Sequence, residues 1–129
     1  MTFPKKILLI DHDPAVTRPV RDALERSGRY SVREEHDEHA AVRVAQFFQP
    51  DLILLDFMTS VVEATALARQ IRSDATLAET PVLCISGFGV SDDVTSAGVL
   101  SGYSFFAAPM RIGEVLRGIE QLLFGSRSD

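Results

Sequence analysis

The sequence predicts a doubly wound α/β fold, a parallel sheet with helices on both faces. Three observations carry this. Apolar runs of strand length recur at 7–10 (ILLI), 52–55 (LILL) and 82–85 (VLCI). Each run is continuously apolar rather than alternating, the pattern of strands covered on both faces. Between the runs lie segments of helical period, and right-handed crossovers turn such an alternation into a sheet wound on both sides.

The elements follow in order. After the first strand, Pro14 to Ser27 carries Val16, Val20, Ala23 and Leu24 at helical spacing, with Gly28 as the stop. A weaker strand is expected at 30–34 (YSVRE), then a helix capped by Asp37 and running to about Phe48, ended by Pro50. The second apolar run is followed by a helix over Ala64 to Ile71, with Leu67, Ala68 and Ile71 on one face. After the third run, Ser91 or Asp92 caps a short helix ending near Gly98, and a fifth strand lies at 103–106 (YSFF). The last helix, about Ile112 to Phe124, aligns Ile112, Val115, Leu116, Ile119, Leu122 and Leu123. Five strands thus alternate with five helices.

A length of 129 residues suffices for one domain with a single core and is too short for two. The domain is placed at 1–125, and 126–129 is expected to be a frayed tail. A net charge of -5 and a pI near 5.1 argue against direct nucleic-acid binding, which needs a basic surface. No apolar run approaches the ~18 residues of a membrane span. The opening MTFPKK puts its charges ahead of only four strongly apolar residues, so it does not read as a signal peptide. The single Cys84 excludes an internal disulfide and fits a reducing cytoplasm; within PVLCIS it reads as a small core hydrophobe.

Ligands of an open parallel sheet gather at the carboxyl ends of its strands. The polar residues closing the apolar runs here are Asp11, His12 and Asp13, then Asp56, then Ser86. Three carboxylates crowded on one edge repel, which a divalent cation relieves or protonation of one acid avoids. Asp13 before Pro14 also reads as a helix N-cap, and Ser86 before Gly87 as turn chemistry. Asp56 has no such alternative, because no turn residue follows it.

In order and spacing, these residues resemble the receiver domain of two-component response regulators over nearly the whole chain. LLIDHDP matches the acidic end of the family's first strand except at His12. PDLILLD puts Asp56 at the phospho-acceptor, and TPVLCISG matches the Ser/Thr and small residue with Ser86 and Gly87. The fifth strand leads to Ala108-Pro109, aligned with the family's Lys-Pro, and Phe105 aligns with the aromatic that reports activation, or is a plain core residue. The resemblance implies a flavodoxin-like (βα)5 fold with strand order 2-1-3-4-5. It also implies an acidic metal pocket drawn from Asp11, His12, Asp13, Asp56 and Met58, and switch positions at Ser86, Phe105, Ala108 and Pro109.

The departures bear on chemistry. His12 stands where the family has a direct carboxylate ligand of Mg2+, a hard cation that prefers oxygen. Imidazole suits Mn2+, Zn2+ or other transition metals better; alternatively His12 pairs with Asp11 or Asp56, with a raised pKa. Ala108 replaces the lysine, and the chain's only lysines, Lys5 and Lys6, precede the first strand. Arg111 is the one cation close by in sequence. In DFMTSVVEA the family's Met-Pro has become Thr59-Ser60 and its Gly is Ala64, which leaves that turn's shape open. His36 and His39 read as a solvated helix start, with a surface metal site as the lesser alternative.

Phosphoryl transfer depends chiefly on charge stabilisation, so losing a ligand and the lysine together implies impaired Mg2+-dependent phosphorylation. The expected function is an atypical receiver, not an enzyme. It would serve as a protein-interaction module in bacterial signalling, meeting a histidine kinase or effector through the fourth helix, fifth strand and fifth helix. The alternative is a receiver still modified at Asp56 with altered metal use. A flavodoxin-like enzyme or nucleotide binder is opposed by DHDPAVTRP, which repels an anion and offers no Gly-rich cradle.

Overall fold

The computed structural model describes residues 3–11, 14–56, 61–85, 98–100, 103–106 and 112–125. For 14–16, 61–62, 64–65, 85, 98–100, 103–106, 112 and 114 the description is of the backbone. The elements are β1 (Lys5–Ile10), α1 (Pro14–Arg26), β2 (Tyr30–Glu35), α2 (Glu38–Phe48) and β3 (Leu52–Asp56). They continue as α3 (Val61–Ser73), β4 (Val82–Ile85), β5 (Gly98–Leu100), β6 (Tyr103–Phe106) and α4 (Ile112–Phe124). The sheet order is β2-β1-β3-β4-β6-β5, so the expected 2-1-3-4-5 order holds once β6 is recognised as the expected fifth strand.

Strand alternation sorts the core into two layers. In β1, Leu8 and Ile10 pack with Ile53, Leu55, Val82 and Cys84 against Ala41, Ala45, Leu67, Ala68 and Ile71 of α2 and α3. Ile7 and Leu9 pack with Leu52, Leu54 and Leu83 against Val20, Leu24, Val115 and Ile119 of α1 and α4. Both faces of β1, β3 and β4 are therefore covered, which is why these strands read as unbroken apolar runs. Each fully buried leucine contributes about 1.5–3 kcal/mol of transfer free energy, which explains why no polar residue interrupts them. Cys84 is the core hydrophobe expected, and burial pushes its thiol up to about 12.

The helix ends follow local rules. Gly28 adopts φ 77 just after α1, the left-handed stop expected there. Asp37 caps α2 by accepting the His39 N–H at 2.8 Å. Gln49 ends α2 in the left-handed region (φ 52), a conformation that glycine adopts at less cost. Pro19 lies inside α1, where its missing N–H removes one helical hydrogen bond.

Three expectations are corrected. α3 begins at Val61 rather than Ala64, so Val61 and Val62, together with the Ala64 that stands at the family's Gly position, lie within the helix. His36 is not on a helix: it follows β2, and α2 begins only at Glu38. A sixth strand joins the five expected: Gly98–Leu100 is an edge strand paired antiparallel with β6 in the register Gly98↔Phe105, Val99↔Ser104 and Leu100↔Tyr103. Residues 91–97 lie outside the described residues.

Candidate functional site

The parallel register sets the site. Ile10 pairs with Glu35 of β2 on one side and with Leu55 of β3 on the other. Asp11 continues the ladder by donating its N–H to Glu35 O at 3.0 Å, and Asp56 closes β3 next door. Both aspartates are buried, 1% and 3% exposed respectively, at the carboxyl edge where ligands of such sheets gather. The alternation that sends Ile7 and Leu9, and Leu52 and Leu54, toward α1 and α4 carries on to Asp11 and Asp56.

Asp11 is held from two directions. The Thr17 hydroxyl, buried on α1, donates to Asp11 Oδ2. The His36 ring donates from Nδ1 to Asp11 Oδ1 at 2.6 Å, since an ionised carboxylate only accepts. On its other side His36 Nε2 lies 3.5 Å from Glu34 Oε1, and the second oxygen of Glu34 accepts from Arg21 Nη1 at 2.6 Å. The hydrogen bond to Asp11, with the charges of Asp11 and Glu34 in support, raises the His36 pKa above its ordinary value despite some desolvation. The bond from Glu34 likewise raises Arg21. A chain of polar contacts, Arg21–Glu34–His36–Asp11, therefore links α1, β2, the β2–α2 connection and the end of β1.

Asp11 and Asp56 thus come together as expected. His12, Asp13, Met58, Ser86, Ala108, Pro109 and Arg111 lie outside the described residues. Phe105 is on β6, paired with Cys84 of β4 and Gly98 of β5. The imidazole that meets Asp11 among the described residues is His36, where sequence reasoning placed a solvated residue, and Thr17, Arg21 and Glu34 were not singled out. The signal was available: order 2-1-3-4-5 puts the end of β2 beside the end of β1, so its last polar residues belong to the same edge. His39, by contrast, is exposed in the first turn of α2, as expected. The two lysines stand at the start of β1, roughly 16–20 Å from Asp11 at the rise of a strand.

Among the described residues, no helix is long and apolar enough to cross a membrane. The chain is 31% identical over 118 residues to the DNA-binding dual master transcriptional regulator RpaA of Synechocystis, covering 92% of this chain and 48% of that protein. It is 30% identical over 122 residues to the transcriptional regulatory protein TrcR of Mycobacterium tuberculosis, covering 93% and 46%. The chain therefore spans about half the length of these regulators. Among solved structures it superposes on a response regulator from Desulfuromonas acetoxidans with a TM-score of 0.74 at 20% identity, covering 93% of this chain and 97% of that one. The chemotaxis response regulator CheY4 of Vibrio cholerae gives 0.74 at 18% identity, covering 94% and 100%. These two likenesses show the fold. The sequence profile of the response regulator receiver domain matches residues 7–120, and the chain belongs to that family.

Proposed function

We propose that this receiver acts as a protein-interaction module of two-component signalling in which Mg2+-dependent phosphorylation of Asp56 is impaired. The observation that carries the reading is the placement of charge. The chain's two lysines lie at the start of β1, at the opposite edge of the sheet from Asp11 and Asp56. Family chemistry needs an ammonium beside the acceptor, and position 108 supplies a methyl group instead. A phosphoryl group moving to Asp56 would lack one principal source of charge stabilisation, commonly worth about 3 kcal/mol or ~100-fold in rate.

The donor set points the same way. Receivers hold Mg2+ with carboxylates, whereas Asp11 already accepts from Thr17 and His36, and His12 offers nitrogen in place of oxygen. Two carboxylates with imidazole suit a borderline transition metal better than Mg2+. That supports the second reading, a receiver modified at Asp56 with Mn2+ or a similar ion in place of Mg2+. When bound, such a cation supplies positive charge against the phosphoryl oxygens. Asp11 and Asp56 would hold it, and Asp56 would be the acceptor.

Partners would be a histidine kinase or a downstream effector, and the setting the bacterial cytoplasm. Their docking surface would be α4 with the β5–β6 edge, because β5 takes the outer place beside β6 that a purely parallel sheet leaves open. Incubation with beryllofluoride in Mg2+ and then in Mn2+, followed by amide shifts around Asp56 and Ser86, tests both readings. Silence in Mg2+ is expected. Saturable shifts in Mg2+ that vanish in Asp56→Asn would overturn the first reading, and shifts in Mn2+ alone would select the second.

A further inference from the structure

A second cluster of ligating groups sits beside the switch pocket rather than in it. Asp11, Glu34 and His36 each offer one donor atom, and these atoms lie within 4.8 Å of one another. We propose that Asp11, Glu34 and His36 form a transition-metal site on the β1–β2 side of the sheet edge, suited to Zn2+.

The chemistry of the set selects the ion. One imidazole and two carboxylates match the nitrogen and oxygen ligands of zinc, with solvent completing the shell, and they disfavour Mg2+. Ligands around such an ion, at about 2.0–2.2 Å from it, stand roughly 3 Å apart. The donor atoms here lie within 4.8 Å of one another, so binding requires them to draw together, and the half-exposed His36 side chain opens the site to solvent.

The independent support is that both carboxylates are already oriented from behind. Thr17 holds Asp11 Oδ2 and Arg21 Nη1 holds Glu34 Oε2, so the remaining oxygens, Asp11 Oδ1 and Glu34 Oε1, are the two atoms nearest the ring. Outer contacts of this kind fix ligand orientation in metal sites, and their removal typically costs 10–100-fold in affinity. An unbuilt surface cluster has no such backing. The site shares only Asp11 with the pocket of the proposed function and does not depend on phosphorylation of Asp56. Because both sites draw on Asp11, they compete for it.

Titration of the whole chain with Zn2+, read by calorimetry and by the ring nitrogens of the histidines in long-range 1H–15N spectra, tests this. The expected result is a saturable one-to-one isotherm in which the His36 ring resonances move, while Mg2+ at the same concentrations leaves them in place. His36→Gln and Glu34→Gln should each weaken binding at least about 10-fold, and Arg21→Met about 10-fold through the loss of its hold on Glu34. Asp56→Asn should bind as the parent does, which separates this site from the acceptor pocket. Amide spectra establish that each variant is folded. The proposal falls if Zn2+ does not bind saturably, if the His36 ring resonances of the parent stay unmoved as it binds, or if folded His36→Gln binds as tightly as the parent.

Discussion

The two ends of β1 hold charge in opposite ways. At its start, Lys6 donates from Nζ to Phe48 O at 2.7 Å, lies 5.3 Å from the Phe48 ring, and gives its backbone N–H to Asp51 Oδ2 at 2.7 Å. At its end, Asp11 is buried beside Asp56 and is met by a hydroxyl and an exposed imidazole. The cation at one end is committed to tying β1, α2 and β3 together. Among the described residues, Asp11 at the other end is answered by a neutral hydroxyl and an imidazole that is charged only when protonated. On the proposed reading, phosphotransfer depends on where the positive charge stands rather than on how much the chain carries.

The most severe way to break this contrast is to put a permanent cation and a hard ligand at the acidic end. His12→Asp combined with Ala108→Lys should raise the rate of Asp56 phosphorylation by acetyl phosphate in Mg2+ by ~10²–10⁴-fold, the span set by imperfect additivity within one site. Radiolabel incorporation or phosphate-affinity electrophoresis reads it directly. An unchanged rate would overturn the proposal that these two positions limit phosphotransfer to Asp56.

The contrast between the ends also marks how far the sequence could be read. Unbroken runs such as ILLI and LILL betray the central strands because both faces are buried, and Gly28 and Asp37 mark helix boundaries through local backbone chemistry. Asp11 and Asp56 were legible because each ends such a run. The groups around Asp11 were not, since Glu34 and His36 reach it only through the pairing of β1 with β2 and Thr17 only through the return of α1 over the sheet, and each reads as an ordinary polar residue in its own segment. The edge strand β5 was missed for a related reason. GVL is too short to announce itself as a strand without the hairpin register that pairs it to β6.

Smaller perturbations sharpen the comparison by testing each end alone. Thr17→Val keeps the shape of a fully buried side chain while removing a donor to a buried carboxylate, and should cost about 1–3 kcal/mol of stability. Urea unfolding with an unchanged m-value reads this loss. At the other end, Lys6→Met removes the hydrogen bond to Phe48 O and should cost about 0.5–1.5 kcal/mol. It should leave the response of Asp56 to beryllofluoride and metal as in the parent. A changed response would mean that the two ends of β1 communicate, and the contrast would have to be redrawn.

The smallest effect separates conditional from permanent charge. His36 titrates above its ordinary value near 6.5, chiefly because its ring bonds Asp11. A folded-state pKa above the unfolded one means that protonation favours the folded chain. The contribution is complete below pH ~6.5 and fades as pH rises through the folded-state value. With its side chain 49% exposed, solvent screening keeps the effect below about 1 kcal/mol. The difference in unfolding free energy between the parent and His36→Gln should therefore be larger at pH 5.5 than at pH 8.5. The same difference measured for Lys6→Met should stay flat across that range, because lysine keeps its charge throughout. A flat His36→Gln difference would show that the imidazole holds Asp11 as a neutral donor. The acidic edge would then carry no compensating positive charge from His36 at any pH in that range, and the contrast with the lysine end would be sharper still.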